Sequence, residues 1–151
     1  MKAIRFKLGH WNFITPIDEM QEIVQHFEVH PLPLTKPWLA GVCHLRGAVF
    51  PVTDLWHFMT LKSYAENSKK DSLLLFSQGE WQYGLRVAEL RGMIDVDVAK
   101  VNVNSQYPYD LSRISSCLEV VVVYEDENYY LFHPRKLTEL PEFMSSFDIN
   151  G

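Results

Sequence analysis

Trp38-Leu-Ala-Gly41-Val-Cys43-His44-Leu-Arg46-Gly47-Ala-Val-Phe-Pro51-Val-Thr-Asp54-Leu55 is the stretch whose reading decides the fold. Two apolar runs, Leu39–Leu45 and Ala48–Thr53, flank Arg46-Gly47, and that spacing predicts a hairpin because glycine accepts positive φ without steric cost. Arg46 then stands at an exposed tip, where a guanidinium can meet a partner but adds little to a core. Pro51 has no amide proton, so the second strand is expected at a sheet edge or with a bulge there. Asp54 closes the strand and is placed to cap a short turn over Leu55–Met59.

Outward from this stretch, the chain carries an internal repeat at an offset of 70 positions. Gly9-His-Trp11-Asn-Phe13 falls on Gly79-Glu-Trp81-Gln-Tyr83, and the register continues with Ile17 on Val87, Glu19 on Glu89, Met20 on Leu90, Ile23 on Met93 and Val24 on Ile94. Upstream, Ile4 and Phe6 meet Leu74 and Phe76. A repeated sequence implies a repeated supersecondary unit, and two copies imply two similar lobes packed together. Each copy opens with a strand, a Gly-first turn (Gly9-His10, Gly79-Glu80) and a return strand. Ile4, Phe6 and Leu8 alternate with Arg5 and Lys7, as on a half-buried strand, whereas Leu73–Phe76 is apolar on both faces and suits a strand between lobes. A short turn follows each hairpin, Pro16–Met20 and Arg86–Leu90, and then a further strand.

Pro31, Pro33 and Pro37 punctuate a connecting loop, and Lys62–Asp71 reads as the connector between lobes. In the second half Met93–Val98, Leu118–Tyr124 and Tyr129–His133 read as strands and Asn102–Asp110 as loop. Pro134 suits a first helical position, and Pro141 should divide the C-terminal element into two short turns. The expected class is mainly β: one domain over residues 1–151, built as two five-stranded SH3-like barrels with a short C-terminal helix. Lobe 1 is placed at about residues 1–68 plus the C-terminal segment 134–151, and lobe 2 at about 70–133.

Composition bounds the function. A chain of 151 residues, 47% hydrophobic and 22% charged, has the makings of a real core. Its net charge of −5 has the wrong sign for neutralising phosphates, so nucleic acid is not expected as a partner. No apolar run approaches a membrane span and the N-terminus offers no signal-peptide core, so a cytoplasmic protein without direct membrane insertion is expected. Cys43 and Cys117 read as buried free thiols. The histidines at 10, 26, 30, 44, 57 and 133 show no ligand spacing, Asp95 and Asp97 read as a solvated strand edge, and Glu19 and Glu89 as turn-stabilising groups. Neither catalytic residues nor a metal or cofactor are implied. A second reading is a small-ligand-binding β-barrel protein, with or without enzymatic activity, with Trp11, Trp81, Tyr83 and the histidines lining one pocket.

The stretch from Trp38 to Leu55 closely resembles the signature of CheW-like chemotaxis coupling proteins, and the similarity extends over essentially the whole chain. The tail, Tyr129-Tyr-Leu-Phe-His-Pro-Arg-Lys-Leu-Thr-Glu-Leu-Pro141-Glu-Phe, resembles the PilI branch, which serves type IV pilus twitching motility. The resemblance implies two intertwined SH3-like barrels and a non-enzymatic adaptor. Its partners would be the cytoplasmic tip of methyl-accepting chemoreceptors and the regulatory domain of a CheA-like histidine kinase. By matching position it assigns Met20, Gly41, Arg46 and Gly47 to the receptor contact, and Glu22 and Ile23 to the kinase contact. Ser116–Val123 departs from the family pattern: at the 70-residue offset Cys117 occupies the place of Gly47, so the second lobe is expected to lack the first lobe's tip.

Overall fold

Two hairpins in identical register open the two halves of the chain. In the computed structural model, which describes residues 1–63, 71–97 and 107–148, β1 (Lys2–Leu8) turns into β2 (Trp11–Pro16), and β7 (Ser72–Gln78) into β8 (Trp81–Val87). The closing pairs are Leu8–Trp11 and Gln78–Trp81, with Gly9 at φ +59° and Gly79 at φ +62°. Equivalent aromatics stack alike: Phe6 on Phe13 at 5.3 Å between ring centres, Phe76 on Tyr83 at 5.4 Å. The third strand of each copy, β3 (Glu22–Val24) and β9 (Leu90–Asp95), does not stay with its own hairpin. β3 pairs with β7, and β9 pairs with β1.

The remaining strands are β4 (Val29–His30), β5 (Leu39–Leu45), β6 (Ala48–Asp54), β10 (Leu118–Tyr124) and β11 (Glu127–Phe132). They complete a five-stranded sheet ordered β10-β11-β2-β1-β9 and a six-stranded sheet ordered β3-β7-β8-β6-β5-β4. Each sheet therefore draws strands from both halves of the chain, and sheet membership does not follow a division at residues 68–70. Set aside the two-residue β4, and the sheets share one plan, in which β5–β6 answers to β10–β11. That correspondence holds at an offset of 79, not 70: Leu39 falls on Leu118, and the turn Arg46-Gly47 falls on Glu125-Asp126. All four turn residues have positive φ (51°, 81°, 49° and 64°). The expectation from Cys117 is thereby corrected. The second copy does have a tip, acidic instead of basic, displaced by nine inserted residues, and Cys117 answers to Trp38. Matching amide bonds confirm the shift: Asp54 N–H donates to the Trp38 carbonyl and His133 N–H to the Cys117 carbonyl, both at 2.8 Å.

Burial follows the same plan. Leu74, Phe76, Phe6, Leu8 and Phe13 face a central core between the sheets, roofed by α1 (Leu55–Thr60), a 3-10 run Tyr109–Cys117, a second run Pro134–Glu139 and α2 (Pro141–Ser145). Leu73 and Leu75 face the other way, into a small core with Val24, Cys43, Phe50 and Val52. Its counterpart in the first sheet holds Ala3, Ile94, Val122, Tyr129 and Leu131. Leu73–Phe76 is apolar on both faces because it is buried on both faces. Pro141 does separate two short C-terminal turns, and Leu137 and Phe143 anchor them at 0% exposure. The reading of Asn102–Asp110 as loop is overtaken at its end, where Tyr109 and Asp110 begin a nine-residue 3-10 run; residues 102–106, like most of the connector expected at Lys62–Asp71, lie outside the described residues.

Pro51 lies neither on an edge strand nor at a bulge, contrary to expectation. β6 sits between β5 and β8, and the irregularity in β5 falls between Leu39 and Gly41. Alternation from the Leu45–Ala48 closing pair makes Val42–Pro51 a pair without cross-strand amide bonds, and pairing with β8 begins one residue later, at Val52. The missing N–H is therefore not needed. Asp54 acts as foreseen: its Oδ1 accepts the His57 amide at 3.1 Å, capping α1, while Oδ2 accepts Arg86 Nη2 at 2.8 Å. Replacing Asp54 by Ala removes the cap and leaves Arg86 short of a partner, and should cost about 2–4 kcal/mol in urea denaturation.

Candidate functional site

The β5–β6 hairpin ends in a turn whose two residues are both left-handed, the type I′ geometry that matches strand twist. Its tip does not stand free. Arg46 Nη1 donates to Glu22 Oε2 at 2.6 Å, with the Arg46 side chain 74% exposed and Glu22 28%. Glu22 lies on β3, at the far end of the sheet, with β7, β8 and β6 between. The contact therefore spans the mouth of a sheet that curls round the Val24–Phe50–Leu73 core. Across the other sheet the charges are reversed: Arg91 on β9 meets Glu127, beside the acidic tip, at 3.6 Å.

β3 is an edge strand, held on β7 through Glu22–Leu75, Ile23–Leu74 and Val24–Leu73. The segment leading to it is fixed by Met20 N–H on the Ile17 carbonyl (3.1 Å) and Gln21 N–H on the Leu75 carbonyl (2.7 Å). Met20 and Ile23 are half-buried against the central core. The ion pair joins Arg46 to Glu22, whereas Ile23, the next residue of β3, turns with Met20 toward the central core on the other face of the strand. Gly41 stands apart. It is buried, at φ +146°, and a Cβ there would lie 2.1 Å from the His30 carbonyl oxygen. It holds the β4–β5 crossing closed and shapes the hairpin from behind. Around Gly47 nothing lies within 4 Å of an added Cβ, so only its φ of +81° asks for glycine.

The aromatics of the ligand-binding alternative do not converge. Trp81 and Tyr83 line an open groove of about 740 Å³ with Leu32, Leu34, Met144 and Phe147. Trp11 lines a separate cleft of about 470 Å³ with His10, Trp56, Tyr109 and Arg113. Nor do the histidines gather: His10 lies against Trp11, and His30 against His44. Among the described residues no group of three or more His, Cys, Asp or Glu is placed to hold a metal ion. Burial pushes the Cys117 thiol up to about 12 and raises that of Cys43, so both stay protonated and poorly nucleophilic near neutrality. No helix among the described residues is long and apolar enough to cross a membrane.

One cluster went unread in the sequence. His133, the counterpart of Asp54, holds Glu19 through Nδ1 and Glu119 through Nε2 (2.5 Å). Glu19 therefore does more than steady its own turn. It ties the segment before Met20 to the C-terminal part of the chain.

Fold and surface together describe a duplicated, mainly β module that presents hairpin tips and sheet edges. The chain belongs to the CheW-like domain family, whose model matches residues 2–141. It is similar to the protein PilI of Pseudomonas aeruginosa, with 30% identity over 91 residues, 60% of this chain and 51% of that protein. Similarity to the protein FrzA of Myxococcus xanthus is 27% over 96 residues, 64% of this chain and 59% of that protein. The matched region thus spans just over half the length of these relatives. Among solved structures, the scaffolding protein TtCheW from Thermoanaerobacter tengcongensis superposes with a TM-score of 0.74 at 19% identity, covering 87% of both chains.

Two glycine replacements should separate the structural from the surface roles. Gly41→Ala must displace the His30 backbone and is expected to lower stability by about 3 kcal/mol or prevent folding. Gly47→Ala, in open space, should cost about 1 kcal/mol in thermal denaturation.

Proposed function

We propose that this chain is a non-enzymatic adaptor of a bacterial chemosensory pathway, coupling methyl-accepting chemoreceptors to a CheA-like histidine kinase and controlling type IV pilus twitching. Membership of the CheW-like family supports the adaptor class, and similarity to PilI supports the pilus branch. The observation that carries the reading is the Arg46–Glu22 contact. It sets one residue assigned to the receptor, Arg46, against one assigned to the kinase, Glu22, which supports a reading in which the two partners meet around the β3 edge, with Met20 and Ile23 on the same segment. Gly41 serves the receptor contact from within, by seating the hairpin. The adaptor works in the cytoplasm and reaches the membrane through its receptor.

Signal passes here by geometry. Half-buried Met20 and Ile23 offer apolar anchors, and Arg46 offers an exposed, orienting charge, the mixture found at the centre of modest interfaces. Arg46→Glu sets two carboxylates against each other at the tip. It should weaken binding to a chemoreceptor cytoplasmic tip more than about tenfold in co-sedimentation, while stability changes by about 1 kcal/mol or less, as for other exposed pairs. Undiminished receptor binding by that variant would remove Arg46 from the contact.

A further inference from the structure

The two copies close the same corner by different chemistry. In the first, Asp54 at the end of β6 holds the Arg86 guanidinium at 2.8 Å. In the second, the matching position is His133 at the end of β11, clamped between Glu19 and Glu119. An ionised carboxylate only accepts hydrogen bonds, and a neutral imidazole has a single N–H. Both contacts are satisfied at once only when the three groups hold one proton beyond the neutral ring and two carboxylates.

We propose that His133, Glu19 and Glu119 form a proton-dependent latch that orders the segment Ile17–Glu22, which leads into the candidate docking edge. Glu19 ends the 3-10 turn Ile17–Glu19 directly before Met20, so release of its carboxylate frees the turn from the C-terminal part of the chain. A second tether, Arg135 Nη2 to the Asp18 carbonyl at 3.5 Å, is long and exposed and does not replace it.

The surroundings leave the titration to this cluster. Tyr107, which feels Glu119, and Tyr130, whose ring meets that of Tyr107, are both raised above the ordinary phenol value by burial and stay neutral, and so does Cys117, whose carbonyl accepts the His133 amide. Lys136 and Glu139, on the Pro134–Glu139 run, act with opposite signs on the Cys117 thiol. The Glu19 hydrogen bond raises the His133 pKa above the ordinary imidazole value, against desolvation and with help from Glu119. A group whose folded pKa is raised contributes stability that is complete below its unfolded value, about 6.5, and is lost as pH rises through the folded value. The latch is therefore closed in mild acid and opens with alkalinity.

The consequence for docking rests on the function proposed above, but the test does not, since it uses the isolated chain. Ring nitrogen shifts of His133 and amide protection factors of Met20 and Gln21 are followed by NMR from about pH 5.5 to 8.5. His133 should titrate above the free imidazole value, and the two protection factors should fall together, by about tenfold, the scale of one lost charge-assisted bond. In His133→Gln the protection should be flat with pH. Glu119→Gln, an exposed change that spares the Glu19 contact, should lower the midpoint, and decides the matter if His133→Gln does not fold. A His133 midpoint at or below the free value, protection that ignores pH, or an unmoved midpoint in Glu119→Gln would overturn the latch.

Discussion

Exchange of third strands between two duplicated hairpins is the constraint on which the rest depends. β3 leaves the first hairpin to pair with β7 of the second, and β9 leaves the second to pair with β1 of the first. Each curled sheet then needs both copies, and the aromatic pairs Phe6–Phe13 and Phe76–Tyr83 face one another across a common core that neither half can bury alone. With Leu73–Phe76 buried on both faces, the ion pairs Arg46–Glu22 and Arg91–Glu127 lie at edges and turns.

Those edges differ between copies in a useful way. One mouth is closed by a basic tip on an acidic edge strand, Arg46 on Glu22; the other by an acidic flank on a basic strand, Glu127 on Arg91. Such exposed pairs contribute at most about 1 kcal/mol each, so their value lies in placement more than in stability. The two copies thus carry opposite charge placement on one backbone plan. The corner residues diverged in the same sense, Asp54 with a permanent partner and His133 with a titratable one.

Much of the fold was legible in the sequence because it is local. Alternating apolar residues around Gly9, Gly79 and Arg46-Gly47 place three hairpins, and Pro141 divides the C-terminal turns, since each effect is settled within a few residues. What failed is non-local. Alternation says that a strand has a buried face but not which strand lies beside it, so the strand exchange and the interior position of Pro51 could not be read. The nine-residue insertion broke the ungapped register, and so Cys117 was matched to Gly47 when the real counterparts are Glu125 and Asp126. Tyr109–Cys117 escaped because a 3-10 run lacks the period of an α-helix. The hairpin pattern puts Arg46 and Gly47 at the surface, where the structure has them, but it does not show that Gly41 is buried at a position whose backbone requires glycine. Glu19, Glu119 and His133 lie far apart in sequence and share no motif spacing.

Strand exchange is tested most directly by producing the two halves separately, with the cut placed inside residues 64–70, and recording amide NMR spectra of each and of their mixture. The account predicts collapsed, poorly dispersed spectra for either half and recovery of a single dispersed spectrum on mixing, because β3 and β9 have nothing to pair with until both halves are present. A well-dispersed, cooperatively melting N-terminal half on its own would contradict it.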